Sequence, residues 1–181
     1  MLSLMPVVKR NDIMPDYLDT PVGLLLEHHN LGEKELSYKP GSLLIGMCMD
    51  NRKSLDMPEN LAYVIRTGGG NMMEVEFKIS FTIALKKVNA VALIAHDDCG
   101  MVDLLSKKDD FIKGLVNNGG WNKEQATEHF ENFAPKFGIE NEIKFVFKES
   151  KRLKLKYPPI LIAPLFYNIE DKLLYQVVED Y

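Results

Sequence analysis

The sequence predicts an α/β protein: a mostly parallel central β-sheet flanked by helices, with a C-terminal hairpin strand. Three observations carry this expectation. Short, nearly unbroken apolar runs recur at Ser42 to Met47, Leu61 to Ile65, Val88 to Ala95 and Ile160 to Tyr167, and runs of that length without alternation mark strands covered on both faces. The stretches between the later runs are long enough for the helical crossovers that parallel neighbours require. The first and third runs end directly on Cys48 and His96, at the carboxyl ends of strands, where open α/β sheets place their ligand sites.

The elements follow in order. Tyr17 to His29 reads as a helix with Leu24, Leu25 and His28 on one face, and Pro40-Gly41 punctuates before the first apolar run. The second run leads into Arg66-Thr67-Gly68-Gly69-Gly70, a strand followed by a permissive loop. Between the second and third runs two signals conflict. Met73, Val75, Phe77, Ile79, Phe81, Ile83 and Leu85 alternate with other residues as a strand would. The crossover between parallel strands nevertheless calls for a helix here. A helix is expected, with apolar residues around much of its circumference and hence a face for a subunit contact.

Helices continue beyond Cys99. One spans Asp109 to Val116, stopped by Asn117-Asn118-Gly119-Gly120. A second opens on Asn122 and Gln125, which resemble a capping box, and is expected to end before Pro135. A third covers Glu140 to Leu155, where Lys148, Lys151, Arg152, Lys154 and Lys156 form a solvated face balanced by Glu140, Glu142 and Glu149. After Pro158-Pro159 and the last apolar run, a turn at Asn168 to Lys172 passes into Leu173 to Val178 as a hairpin return.

Composition narrows the function. The 181 residues, 46% hydrophobic and 27% charged, suffice for one domain with a real core. A net charge of −4 argues against a nucleic-acid footprint. No apolar run reaches bilayer length, and Met1 to Pro15 does not read as a signal peptide. A cytoplasmic protein with no nucleic-acid or membrane partner is expected.

The chemistry lies in Cys48-Met49-Asp50-Asn51-Arg52 and His96-Asp97-Asp98-Cys99-Gly100. There are only two cysteines, and a cytosolic compartment disfavours a disulfide between them. Thiolate and imidazole together suit zinc, and Cys48, His96 and Cys99 leave its fourth position open, the catalytic rather than the structural pattern. Asp50 and Arg52, two apart after a strand, can point the same way. A guanidinium beside a carboxylate keeps it ionised and orients it. Asp50 could then accept a proton from zinc-bound hydroxide, or swing round to become the fourth ligand in a closed state. Asp98 either steadies the ligand loop or is a solvated carboxylate. The glycines either offer N–H groups to an anionic product or simply form a sharp turn. His28, His29 and His129 are proton-transfer candidates by residue type alone.

These two segments resemble the β-class carbonic anhydrases, whose pattern is Cys-x-Asp-x-Arg on one strand end and His-x-x-Cys on another. Ile65 to Gly70 is similar to the family's Arg-Asn-Ala-Gly loop, with Thr67-Gly68 standing where the family usually has Asn-Ala. The resemblance covers roughly Gly41 to Leu105 and, more loosely, the rest to Val178, in the manner of the compact branch of the family. It implies one zinc ion per subunit on Cys48, His96 and Cys99, an Asp50–Arg52 dyad, and a homodimer or larger assembly. Thr67, Gly68, Gly69 and Asp98 become possible loop contacts.

The implied activity is reversible hydration of carbon dioxide to bicarbonate by zinc-bound hydroxide. Hydrolysis of carbonyl sulfide or carbon disulfide at the same site is an alternative, and a non-catalytic zinc-binding protein of this fold is another. Two thiolates offset much of the ion's charge, so activity should rise on the alkaline side of neutrality. The chain then divides into a helical arm (1–40), a metal-site core (41–105), a helical segment (106–157) and C-terminal strands (158–181), all within a single zinc-binding α/β domain.

Overall fold

A computed structural model describes residues 1–34 and 37–179; residues 35–36 and 180–181 lie outside the described residues. The six strands are β1 (Leu2–Met5), β2 (Leu43–Cys48), β3 (Ala62–Thr67), β4 (Ala90–His96), β5 (Leu161–Tyr167) and β6 (Leu174–Glu179). They form one sheet in the order β1-β6-β5-β4-β2-β3. β3, β2, β4 and β5 are parallel to one another, whereas β6 and β1 are antiparallel additions at one edge. Every expected strand is present within two residues at each end.

The unbroken apolar runs are explained by what lies on each face. Side chains alternate across a strand, so β2 and β4 feed two cores at once. Leu43, Ile45 and Met47 join Ala92 and Ile94 beneath α1 (Pro21–Leu31), which contributes Val22, Leu25 and Leu26. Leu44, Val91 and Leu93 face the other way, onto Ile79 of α2 (Glu76–Lys86) and onto Val146 and Leu153 of α5 (Glu142–Lys156). The helices α3 (Lys108–Gly119) and α4 (Lys123–Phe137) pack against each other after the last metal-site residue.

The stretch from 73 to 85 is helical apart from a short turn at Met73–Val75. The strand-like alternation then has a different consequence. Only Ile79 and Thr82 of α2 are fully buried, while Phe77 is 81% and Leu85 67% exposed, with Phe81 and the preceding Met73 also exposed. Successive members of this stripe lie four apart, on one helix face.

Three helix boundaries and one strand differ from expectation, each for a local reason. α1 begins at Pro21 rather than Tyr17, because the Thr20 hydroxyl caps it by accepting from the amides of Val22 and Gly23. α4 does not stop before Pro135 but runs through it to Phe137. In the last turn a proline forfeits one helix bond, and the Gly138 amide still closes the end on Ala134 O at 3.0 Å. α5 starts at Glu142, not Glu140: Ile139 is taken by a bridge to Val102, and Asn141 caps the helix by accepting from Lys144 N. β1 is not expected from the sequence, since Leu2–Met5 is too short for periodicity to announce it. Among the described residues no helix is long and apolar enough to cross a membrane.

Candidate metal centre

β2 and β4 are adjacent parallel strands, so their carboxyl ends deliver Cys48 and His96 side by side. The chain then turns through Asp98, at φ 51°, and brings Cys99 back to the same point. One donor atom from each of Cys48, His96 and Cys99 lies within 4.8 Å of the others, and all three residues are buried. The two sulfurs are 3.9 Å apart and are free thiols, not a disulfide.

The histidine is prepared for coordination. His96 Nδ1 lies 2.7 Å from the Asp97 carbonyl, which can only accept, so Nδ1 carries the proton and Nε2 keeps its lone pair. Nε2 is buried without a hydrogen-bond partner, which is costly unless something else meets it. Asp97 is fixed in turn: its Oδ1 accepts from Ile169 N at 2.7 Å. The thiols share their protons unequally. Hydrogen bonding from Cys99 pushes the Cys48 thiol far down toward thiolate, and the same contact pushes Cys99 up. Two soft sulfurs, an oriented imidazole and an orphaned lone pair fit a metal ion of the zinc type.

Asp50 and Arg52 stand just outside this trio. Both Asp50 oxygens accept from Arg52 Nε at 3.1 Å, and Oδ2 also accepts from Nη2 at 2.7 Å. This hydrogen bonding holds the Asp50 carboxyl well below the usual carboxylate range. Arg52 reaches Asp98 as well, through Nη1 to Oδ2 at 2.7 Å and Nη2 to the backbone oxygen at 2.9 Å. Asp50 therefore faces the guanidinium and is not part of the clustered donor set.

The glycine loop seals one flank. Gly69 and Gly70 both adopt the left-handed conformation, at φ 63° and 73°, which favours glycine. A Cβ on Gly70 would lie 3.5 Å from Cys48 N, so this loop rides on the Cys48 backbone. Met101 covers Gly68 and Gly69 from the other side. Met101, Val102, Ile139 and Phe145 pack around the two sulfurs and keep them dry.

Three features escape a reading of residue types. Lys53 is only 3% exposed; its ammonium donates to Asp50 O at 3.3 Å, joined there by Arg66 Nη1 at 3.2 Å. Burial pushes the Lys53 pKa down, while the Cys48 thiolate and Asp50 pull it back up. Nothing in the sequence separates Lys53 from an ordinary surface lysine beside Arg52. Glu142, which looked like a balancing surface charge, instead accepts from Cys99 N at 3.3 Å. A pocket of about 410 Å³ also opens beside the site, lined by Met49, Gly68, Met101, Phe111, Phe130 and Phe133 among others.

The other histidines separate by position. His28 is buried 3.4 Å from Asp56. His29 is clamped between Asp56 N at 3.0 Å and Lys172 O at 2.9 Å, and burial lowers its pKa. His129 alone lines the apolar pocket, its ring packed among Phe111, Trp121 and Phe133.

No protein-family model matches the chain, and no curated protein matches it in sequence. Solved structures do. The chain is similar to a carbonic anhydrase from Glaciozyma antarctica, with 26% identity and a TM-score of 0.60 over 78% of this chain and 85% of that one. It is similar to a β-carbonic anhydrase of Trichomonas vaginalis, with 16% identity and a TM-score of 0.63 over 82% and 89%. It is also similar to a carbon disulfide hydrolase in its apo form, with 19% identity and a TM-score of 0.56 over 76% and 79%. The fold is β-carbonic-anhydrase-like.

Proposed function

We propose that this chain is a zinc-dependent carbonic anhydrase, hydrating carbon dioxide reversibly to bicarbonate, with one zinc ion per subunit held by Cys48, His96 and Cys99. The observation that carries this reading is the buried, partnerless Nε2 of His96 converging with two thiols at the carboxyl ends of adjacent strands. The shared fold with a carbonic anhydrase at 26% identity supports it. When bound, zinc supplies Lewis acidity that brings the pKa of a coordinated water toward the physiological range.

The chain's own residues supply the rest. Asp50, kept ionised by Arg52, accepts a hydrogen bond from the attacking water and turns its lone pair toward the carbon of the substrate. Arg52 prevents Asp50 from taking that proton outright and, through Asp98, ties the two ligand loops together. The largely apolar pocket beside the trio admits an uncharged linear substrate and disfavours bulk water. His129, on its wall, is positioned to hand a proton outward. The exposed apolar stripe of α2 supports assembly into a homodimer or larger homo-oligomer. The two free thiols suit a reducing compartment, and the cytoplasm is the one proposed.

Zinc analysis and stopped-flow carbon dioxide hydration on the same preparation test this. The expected result is close to one zinc per chain with hydration well above the buffer rate. Zinc-loaded protein without acceleration overturns the activity, and protein that takes up no zinc overturns the metal site.

The pocket favours a second reading, hydrolysis of carbonyl sulfide or carbon disulfide. Its aromatic and thioether lining suits a more polarisable heteroallene than carbon dioxide. Turnover of carbon disulfide with no carbon dioxide hydration would move the assignment there.

A further inference from the structure

Thr67 ends β3 directly alongside Cys48, with which it is paired in the parallel register. Paired residues on neighbouring strands send their side chains to the same face, across a spacing of about 4.8 Å. The Thr67 carbonyl is in use, accepting from Met49 N at 2.8 Å. Its hydroxyl is not: Oγ1 is shielded from solvent and has no hydrogen-bond partner. The great majority of buried hydroxyls are paired, so such an exception calls for a cause.

Neighbouring groups do not meet it. Arg66 turns to the opposite side, donating to the carbonyls of Asp50 and Lys53. Gly68 and Gly69 bring no side chain, and Met101, which covers them, offers a thioether that is only a weak acceptor. Among the four orphaned polar atoms of the described residues, two lie at this end of the sheet, Thr67 Oγ1 and His96 Nε2. The second is explained by a metal ion.

We propose that Thr67 is a specificity residue whose hydroxyl donates to an oxygen of a small oxyanion seated at the open position of the Cys48–His96–Cys99 centre. This rests on the metal-centre reading above and adds to it the class of ligand. A hydroxyl donates well to a carboxylate-like oxygen and poorly to sulfur, which is a weak acceptor. The site thereby favours bicarbonate and its oxygen precursor over sulfur analogues, against the preference of the apolar pocket.

The test compares Thr67→Val, nearly the same shape without the hydroxyl, with Thr67→Ser, which retains it. Bicarbonate and iodide affinities are measured by calorimetry on zinc-loaded protein, and melting temperature on metal-free protein. Thr67→Val is expected to bind bicarbonate about tenfold more weakly, as for loss of one hydrogen bond to a charged acceptor. Iodide, which has no oxygen, should bind as in the parent protein. Thr67→Ser should recover bicarbonate binding. Metal-free Thr67→Val should melt at the parent temperature or above it, because an unpaired buried hydroxyl has been removed.

Unchanged bicarbonate affinity in Thr67→Val overturns the proposal and leaves the metal centre standing. Equal loss for bicarbonate and iodide also overturns it, as a packing effect. If valine disturbs the loop, Thr67→Ala against Thr67→Ser isolates the hydroxyl in the same way. Parent protein that holds zinc but binds no bicarbonate overturns this proposal and the proposed activity together.

Discussion

Arg52 and Asp98, 46 residues apart in the chain, meet at 2.7 Å. The same guanidinium grips both oxygens of Asp50, so one side chain ties the loop after β2 to the loop after β4. The first loop follows directly on Cys48, and the second runs from His96 to Cys99. A planar fork with five donors can serve two carboxylates and a carbonyl at once, which a lysine ammonium cannot do in the same geometry. Arg52→Lys should therefore lower kcat/KM for carbon dioxide at least about tenfold while zinc content stays near one per chain. Asp98→Ala removes only the outer, solvent-exposed partner and should cost roughly two- to fivefold. Steady-state hydration rates with zinc analysis check both.

Metal removal should be visible in stability. A ligand that binds only the native state at a hundred times its Kd adds about 2.7 kcal/mol. For a chain of this size that corresponds to roughly 5 to 10 °C in Tm. Chelation should lower Tm by that amount and zinc should restore it. Cys48→Ser and Cys99→Ser should abolish both the zinc content and the chelator effect. A Tm indifferent to chelator in a zinc-loaded preparation would contradict ligation by the trio.

The Asp50 carboxyl is held below its ordinary pKa of 3.8, first by the Arg52 hydrogen bonds. The folded state therefore binds this proton less readily than the unfolded state. Its contribution to stability is present above about pH 4 and is lost as pH falls toward the lower folded value. Asp50→Asn removes that contribution. Urea unfolding of the metal-free protein should show the variant less stable at pH 5, with the difference shrinking toward pH 2. The effect is a small part of the total, because Arg52 is open to solvent.

The α2 stripe gives a prediction about assembly. Phe77 and Leu85 are largely exposed, and such a row on a helix is an association surface. Light scattering should give the parent protein a mass that is a multiple of 20.6 kDa. Phe77→Glu with Phe81→Glu should reduce it to the single-chain value. A parent protein already monomeric would remove this explanation of the stripe.

Much of this was legible in the sequence because the signals were chemical and local. Apolar runs ending on Cys48 and His96 mark both strands and the end of the sheet where these side chains converge. The same logic resolved 73–85 as a helix against its own alternation, since connectivity outweighs period when a crossover is required. What was not legible depends on neighbours distant in sequence. Lys53 is buried because Arg66 and the Asp50 carbonyl close over it, and Glu142 reaches Cys99 from a helix 43 residues on. β1 exists only because β6 offers it an edge. None of these leaves a periodic trace.

Gly70 joins the sheet's geometry to the centre and can be tested by itself. Its φ is 73°, a region where an L-residue pays about 1–2 kcal/mol. Space is not the obstacle, since an added Cβ would meet Cys48 N at an ordinary 3.5 Å. Gly70→Ala should therefore lower stability by about that strain and no more, if the loop holds its shape. A backbone that relaxes instead must push on Cys48, because no other atom lies nearer the new methyl. The two cases differ in what they move. Strain alone lowers Tm and leaves zinc affinity unchanged, whereas relaxation spares Tm and weakens zinc. The close fit of the loop between Cys48 and Met101 predicts the first, and competition with a zinc chelator alongside thermal melting decides it.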